Sequence, residues 1–293
     1  MLTRRELLKQ SAWLAALATG LSSYDMPGIE KKKKFHIGAC DWSLGKRCDT
    51  GAFDLAKKIG LEGIMVDLGS EQNELPLRRK EMQELYKEAS KKNNVKISSI
   101  AIGELNNVPY KSEPKTEEWV WDSVDIAKNL GVPVVLLAFF SKNDLRNDAE
   151  GTKEVIKRLK KVAPHAEKNG ITLGIESYLN ADEHINIIER VGSPAIKVYY
   201  DFRNTADAGY NTVDEFKKLG KKMICELHMK ENGFLLGKGT LDWNAIGNAV
   251  YEGGFYGDGW MQIEWAKPDE ADLIESYRQN HQFLKTIFSK TPR

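Results

Sequence analysis

Four side chains that commonly bind metal ions follow four apolar runs in the second half of the chain. They are Glu176, Asp201, His228 and Glu264. If the runs are parallel strands of a barrel, their carboxyl ends meet at one face, and we expect the four side chains to converge there. Three converging carboxylates repel one another unless a cation stabilises their ionised form. One imidazole with three carboxylates suits a single divalent ion, Mn²⁺ or Mg²⁺ first, with Co²⁺ or Zn²⁺ as further options.

The third of these runs, MICELHMKENG, ends in an unusual density of charge. Charged side chains at a half-buried strand end are costly unless they bind something. Lys230 lies two residues beyond His228, and side chains two apart point to the same side of a strand. It is therefore a candidate to donate a hydrogen bond to a substrate oxygen. A salt bridge to Glu231, or to another acid at a strand end, is an equally good interpretation.

The elements that must position these residues follow a regular alternation from Phe35 onward. Helical stripes such as Met82/Leu85/Tyr86/Ala89 and Val155/Leu159/Val162/Ala166 separate the apolar runs. Runs that are apolar on both faces indicate a buried parallel sheet, and Gly131 and Gly170 fit helix C-caps that precede strands. The eight runs begin near Phe35, Gly63, Val95, Pro133, Ile171, Ile196, Met223 and Trp260.

Eight strand-helix units predict an α/β fold, a single (β/α)8 TIM barrel over residues 31–293. A doubly wound open sheet is the second choice. The first strand is not followed by a Gly-x-Gly-x-x-Gly pattern, which disfavours a dinucleotide-binding domain. No internal linker indicates a second catalytic domain.

Composition supports a soluble globular chain and disfavours a nucleic-acid partner. The 293 residues are 41% hydrophobic and 29% charged, and the net charge is +1, so there is no overall field for a polyanion. The three cysteines have no paired spacing, and free thiols are expected. Of the five histidines, His165 and His281 lie on helical stripes and are predicted to pack, and His184 is predicted to be exposed.

Residues 1–30 are predicted to be an export signal and linker that precede the barrel. Arg4 and Arg5, followed by the short apolar stretch 11–21, resemble a twin-arginine signal. An amphipathic helix with a chance Arg-Arg pair is the alternative. The apolar stretch is too short to span a bilayer comfortably, so no stable membrane insertion of the mature domain is expected. This resemblance implies a periplasmic protein.

Several short motifs resemble the xylose isomerase-like superfamily, and more closely its sugar (phosphate) isomerase/epimerase branch. The motifs are Gly174-Ile175-Glu176, Tyr200-Asp201-Phe202-Arg203-Asn204, Leu227-His228-Met229-Lys230-Glu231, the segment 236–243 and Gln262-Ile263-Glu264. The resemblance implies that the four strand-end residues bind one divalent metal. It also implies that Glu176 and Glu264 form a proton-transfer pair.

The implied chemistry is abstraction of an α-proton from a sugar through an enediolate, as in a sugar isomerase or epimerase. Lys230 is a third catalytic candidate, and the substrate-binding candidates are Trp42, Asp67, Glu104 and Asn204. Tagatose-type epimerases carry a histidine three places after the metal aspartate and an arginine six places after the metal histidine. Asn204 and Phe234 stand there, which implies a different mode of substrate recognition.

The sequence is also compatible with other functions. The same enediolate can expel a β-substituent, which would make the protein a lyase or deglycosidase of 3-keto-glycosides. A sugar-binding metalloprotein without turnover is a further alternative. An apurinic endonuclease is disfavoured because only one histidine lies at a strand end and the charge is near neutral. The expected partner is a small-molecule sugar, keto-sugar or glycoside, and a homodimer is compatible with the sequence.

Overall fold

A computed structural model of the protein describes residues 35–255 and 259–289. The predicted twin-arginine signal and linker lie outside the described residues. No helix within the described ranges is long and apolar enough to cross a membrane.

Eight parallel strands form a closed barrel in sequence order, each hydrogen-bonded to the next and the last to the first. Nearly all strand residues are buried, as expected for a parallel sheet covered by helices. Every strand begins within one residue of its predicted start, so the predicted barrel is confirmed. The strands are β1 (His36–Cys40), β2 (Gly63–Asp67), β3 (Lys96–Ile102), β4 (Val134–Phe139), β5 (Thr172–Ser177), β6 (Ile196–Asp201), β7 (Ile224–Lys230) and β8 (Trp260–Glu264).

Helices connect the strands and cover the outside of the barrel. Short 3-10 helices follow several strands at the carboxyl face, namely Trp42–Leu44, Glu71–Asn73, Pro76–Arg78, Gly103–Asn106 and Ser141–Asn143. The α-helices of the described ranges are α1 (Gly51–Ile59), α2 (Lys80–Asn93), α3 (Lys115–Leu130), α4 (Ala149–Asn169), α5 (Ala181–Val191), α6 (Phe202–Asp207), α7 (Thr212–Met223), α8 (Trp243–Glu252) and α9 (Leu273–Ser289).

The glycines predicted as helix C-caps adopt the left-handed conformation that this role requires. Gly131 ends α3 with φ 70° and Gly170 ends α4 with φ 68°. At each, the backbone N–H closes the last turn of its helix, a geometry that costs a residue with a Cβ about 1 kcal/mol. These caps set where each helix stops and the next strand begins.

The predicted stripe on α4 is buried along its whole length, whereas the stripe on α2 is wrong at one position. Leu85 is 49% exposed, while the neighbouring Tyr86 is buried. Gln83 takes the inward place on this helix, because its amide donates to the carbonyl of Leu77 in the preceding turn. A polar side chain with a backbone partner thus occupies a position that an apolar pattern does not reveal.

His184 is buried, and the expectation of an exposed side chain is wrong. Its Nε2 lies 2.9 Å from the Ser177 hydroxyl, and its Nδ1 lies 3.0 Å from the Asn180 carbonyl. These partners close the loop between β5 and α5, so the imidazole replaces water with protein hydrogen bonds. His165 packs as predicted, since its ring stacks on Trp121 at 4.2 Å.

Two apolar layers support the carboxyl face of the barrel. The larger lies between the strands and the helices, and the smaller fills the barrel interior. The interior layer is formed by Cys40, Met65, Ala101, Val134, Leu136, Ala138 and Tyr199. Inward-pointing side chains nearer the carboxyl ends of the strands therefore lie above a packed floor, in which the buried Glu226 accepts hydrogen bonds from Ser99 and Tyr199.

Candidate metal centre

The four strand-end residues predicted to bind a metal lie together in one buried cluster. Each offers one ligand atom, and these atoms all lie within 4.8 Å of one another. Their relative exposures do not exceed 6%. The cluster comes from the last four strands, β5 to β8, as the sequence pattern predicts.

Strand pairing places the members of the cluster side by side. Asp201 pairs in register with His228, and Lys230 pairs with Glu264. The pairing of β6 with β7 contains a register shift between Val198 and Tyr199, where Cys225 is the extra residue on β7. Such a bulge re-aims the side chains that follow it. It brings His228, rather than a neighbour of opposite orientation, level with Asp201.

The imidazole of His228 lies at the centre of the carboxylates. Its Nδ1 is 2.8 Å from Glu176 Oε1, 3.8 Å from Glu264 Oε2 and 3.9 Å from Asp201 Oδ2. The opposite ring nitrogen, Nε2, lies 3.4 Å from the thiol of Cys40. Nδ1 of the ring thus faces all three carboxylates, and Nε2 on the opposite side of the ring contacts the weakly polar thiol of Cys40.

Asp201 divides its two oxygens between the fold and the cluster. Oδ1 accepts the backbone N–H groups of Arg203 at 2.7 Å and Asn204 at 2.9 Å, which caps α6. The cap fixes the orientation of the carboxylate. Oδ2 is buried and accepts no hydrogen bond from any described residue. A buried carboxylate oxygen in that state needs a cation or a proton.

Glu264 is held from two sides. Trp42 Nε1 donates to Oε1 at 2.7 Å, and Lys230 Nζ lies 2.9 Å from Oε2. The lysine contact is a short, buried ion pair, and the same Oε2 also lies 3.8 Å from Nδ1 of His228, so it faces the cluster. Lys230 therefore forms the predicted salt bridge with an acid at a strand end. It also lines a cavity beside the cluster.

The charges of the cluster perturb one another. Burial raises the pKa of Asp201 to about 7, and the neighbouring Glu176 and Glu264 add to the rise while Lys230 and His228 oppose it. Burial alone would lower the pKa of His228, but the three surrounding carboxylates raise it to about 9. Burial also opposes ionisation of Glu264, yet Lys230 and His228 outweigh it and lower its pKa. The site thus attracts positive charge strongly.

These observations fit a divalent cation. The cluster offers one imidazole nitrogen and three carboxylates, and Asp201 Oδ2 and Glu264 Oε2 both lie within 4 Å of Nδ1 of His228. Hard divalent ions prefer oxygen-rich sites of this kind, and an imidazole broadens the choice toward Mn²⁺ and related ions.

A cavity of about 460 Å³ opens beside the cluster. Glu176, Glu264 and Lys230 form part of its wall, and the predicted substrate-binding residues Trp42 and Asp67 also line it. The volume falls within the range of small-molecule pockets. The cluster is therefore reachable by a ligand of that size.

The other two predicted substrate-binding residues lie behind the cavity wall. Asn204 Nδ2 donates to Glu176 Oε1 at 3.1 Å, and its Oδ1 accepts from Lys230 Nζ at 3.2 Å. Asn204 thus positions one acid and the lysine. Glu104 accepts from the backbone N–H of Glu71 and from the amide of Asn107, so it fixes the loop after β3.

Several residues that line the cavity were not predicted from the sequence. Arg47, Asn106, Phe140 and Trp265 line the cavity. Trp265 directly follows Glu264, so its position after a strand end is a signal that the strand pattern contains. Arg47 and Asn106 lie several residues beyond β1 and β3, and only the conformation of those loops brings them to the cavity.

A profile of the family described as xylose isomerase-like TIM barrel matches residues 53–287. The chain belongs to this family, which confirms the predicted resemblance.

Two characterised relatives are sugar epimerases. A 2-epi-5-epi-valiolone 7-phosphate 2-epimerase from Actinoplanes sp. is 26% identical over 200 residues, which cover 67% of this chain and 72% of the relative. A D-psicose 3-epimerase from Enterocloster bolteae is 27% identical over 128 residues, which cover 40% of this chain and 42% of the relative.

Solved structures share the fold. The D-psicose 3-epimerase of Clostridium cellulolyticum with D-tagatose superimposes with a TM-score of 0.74 at 16% identity, over 87% of this chain and 99% of that chain. The 3-keto-D-glucoside 4-epimerase of E. coli gives a TM-score of 0.68 at 15% identity, over 86% of this chain and 100% of that chain. At such identities the likeness establishes the barrel alone.

Proposed function

We propose that the protein is a divalent-metal-dependent sugar epimerase or isomerase. The observation that carries the proposal is the buried cluster of three carboxylates and one imidazole, which opens onto a cavity of sugar size. The family and the two characterised epimerases support the same class of reaction. We propose Mn²⁺ or Mg²⁺ as the ion because the donor set is rich in carboxylate oxygen.

The ion, when bound, would polarise the substrate carbonyl and lower the energy of the negative charge that develops on its oxygen. The chain must then remove and return a proton on the adjacent carbon. Glu176 and Glu264 both belong to the cluster and both line the cavity, so each can present a carboxylate oxygen to the substrate carbon. In this proposal one glutamate takes the proton and the other delivers one.

The surrounding residues hold the two glutamates in their working geometry. Trp42 and Lys230 fix Glu264, while Asn204 and His228 fix Glu176. Side chains locked in this way lose little freedom when the substrate binds, which favours catalysis. Lys230 also reaches the cavity, where its ammonium can donate to a substrate oxygen and oppose negative charge.

Proton exchange in D₂O tests the proposal. The Mn²⁺-loaded protein is incubated with free ketoses and with 3-keto-glycosides, and NMR follows deuterium at the α-carbon and the appearance of isomers. We expect metal-dependent deuterium incorporation together with an epimer or isomer. Release of the aglycone would instead identify a lyase. Binding of sugar without any exchange would identify a binding protein and contradict the proposal.

A further inference from the structure

A second group of polar side chains lines the cavity from the end of β2 and from the loops that follow β1 and β3, whereas the metal cluster comes from β5 to β8. Arg47 and Asn106 are its hydrogen-bond donors, and Asp67 is its acid. We propose that this group determines specificity: Arg47 and Asn106 bind the hydroxyl end of an uncharged sugar, and the pairing of Arg47 with Asp67 selects against sugar phosphates. The inference rests on the proposed function and deepens it.

The two donors retain free hydrogen-bonding capacity in the cavity. Arg47 uses Nη2, which donates to Asp67 Oδ1 at 3.0 Å and to the Gly69 carbonyl at 3.3 Å. Its Nε and Nη1 make no hydrogen bond to any residue in the described ranges. Asn106 uses its Oδ1 to accept the backbone N–H of Phe140 at 2.9 Å, and its amide NH₂ has no partner among those residues. Each side chain is thus held in place by some of its polar atoms, and its remaining N–H groups are available to a ligand.

Burial and a backbone hydrogen bond fix the position of Asp67, the acid of this group. Asp67 is 3% exposed, and its carboxylate also accepts the backbone N–H of Gly69 at 2.7 Å. A Cβ added to Gly103 would lie 2.7 Å from Asp67 Oδ2 and 3.4 Å from Arg47 Nη2. The absence of a side chain at Gly103 is therefore what lets the pair approach this backbone. Asp67 cannot move away to release Arg47 without losing these contacts.

The pairing leaves no uncompensated cation for a phosphate. Arg47 and Lys230 are the cations of the cavity wall, and each faces a buried carboxylate, Asp67 and Glu264 respectively. The wall carries three carboxylates against these two cations, because Glu176 lines it as well. With a divalent ion bound and Asp201 counted, four positive charges face four carboxylates, so the loaded site has no excess of positive charge for a phosphate. Phosphate recognition normally relies on arginines or lysines that are free to form bidentate or charge-assisted bonds, or on a helix N-terminus. Neutral hydroxyls need only donors and acceptors, which this group supplies.

Calorimetric titration of the full-length Mn²⁺-loaded protein tests the inference. The probes are D-tagatose and D-fructose, each compared with its 6-phosphate. We expect the dissociation constant of each neutral sugar to be at least about tenfold lower than that of its phosphate, equivalent to about 1.4 kcal/mol. A phosphate ester that binds as tightly as the neutral sugar, or binding of no member of either pair, overturns the inference.

Variants assign the effect to the pair. R47M should weaken binding of the neutral sugars about tenfold, since one good hydrogen bond to a charged donor is lost. D67N should remove the negative charge that compensates Arg47 and so improve binding of the phosphates relative to the neutral sugars. R78M is the matched control, because Arg78 pairs with Glu118 and Asp122 outside the cavity; its affinities should equal those of the wild type.

Folding and turnover are measured separately. Circular dichroism establishes that each variant is folded, and R47M is the decisive variant if D67N is not, since Arg47 is 39% exposed. An R47M protein with unchanged affinity for the neutral sugars contradicts the inference. A wild-type protein that binds neutral sugars selectively but exchanges no α-proton contradicts the proposed function and leaves the specificity assignment standing.

Discussion

Nδ1 of His228 lies 2.8 Å from Oε1 of Glu176; the imidazole is fully buried, and the glutamate side chain is 6% exposed where it lines the cavity. The contact offsets the charge of one carboxylate of the cluster. Asp201 and Glu264 share the remaining cation, Lys230, which is 3.8 Å from Asp201 Oδ2. Two protein cations thus face three acids, so the cluster retains an excess of negative charge.

That excess predicts that divalent ions stabilise the fold. At a metal concentration 100 times the dissociation constant, the free energy of unfolding should rise by about 2.7 kcal/mol, since binding to the native state alone shifts the equilibrium. Thermal melts with Mn²⁺, with Mg²⁺ and with EDTA measure the effect. The D201N variant should lose most of the shift, because its free oxygen no longer carries a charge. D182N, which alters an exposed acid on α5, is the control. An equal shift in D201N would contradict a metal site at the cluster.

Glu264→Gln should separate metal binding from proton transfer. The amide can keep the hydrogen bond from Trp42 through its oxygen, but it cannot act as a base. We expect the rate of α-proton exchange to fall by about 10²–10⁴-fold while metal binding is only weakened. Single-turnover NMR in D₂O together with metal titration measures both quantities. Exchange at the wild-type rate in this variant would remove Glu264 from the proposed proton-transfer pair.

The strands, their order and the four-residue cluster could be predicted because they depend on short-range patterns. Each strand is a short, mainly apolar run, and each ligand-type residue stands at or near the carboxyl end of its strand, where a barrel gathers side chains at one face. Pairing in register then follows from closure of the barrel. The bulge at Cys225 refines this arrangement, and no local signal reveals it.

The cavity wall could be predicted only in part because loops place several of its residues. Trp42 stands two residues beyond β1 and reaches Glu264, so its proximity to a strand end was informative. Arg47 lies farther along the same loop, and the fixed carboxylate of Asp67 determines where its guanidinium points. The burial of His184 could not be predicted for the same reason. It depends on a tertiary partner, Ser177, and not on the periodicity of its helix.

His184 predicts a specific loss of stability in acid. Burial lowers its pKa from 6.5 to about 4, so the unfolded chain takes up a proton before the folded protein does. The stabilising effect of the neutral imidazole is therefore complete above pH 6.5 and is lost as the pH falls toward 4. The difference corresponds to about 3 kcal/mol. Urea denaturation at several pH values should show that the H184Q variant lacks this part of the pH dependence. Parallel wild-type and variant curves would contradict the assignment.

The amino-terminal pattern predicts export by the twin-arginine route, and we propose a periplasmic location on that basis. Replacement of both Arg4 and Arg5 by lysine keeps the charge but removes the paired guanidinium groups that the signal requires. We expect the double variant to stay in the cytoplasm, while the wild type is recovered from the periplasm. Fractionation with a marker enzyme for each compartment measures the distribution. R78K is the control, and periplasmic recovery of the double variant would contradict the proposed route.

The backbone conformation of Trp265 predicts that this residue lowers the stability of the fold and that its ring raises the affinity for a ligand at the mouth of the cavity. The residue adopts a φ of 44°, is 48% exposed and lines the cavity directly after Glu264. A left-handed backbone costs a residue with a Cβ about 1–2 kcal/mol, whereas glycine adopts it freely. An exposed tryptophan in such a conformation is explained if its ring contacts the ligand.

Two variants at this position separate the backbone from the ring. W265A removes the ring and keeps the strain, while W265G removes both, so W265G should be more stable than W265A by about 1 kcal/mol. Both should lower sugar affinity to a similar extent, because the aromatic face is absent from each. Urea denaturation and calorimetric titration of the metal-loaded proteins give the two quantities. Wild-type affinity in W265A would show that the ring does not contact the sugar, and equal stability of the two variants would show that the backbone at residue 265 is not strained.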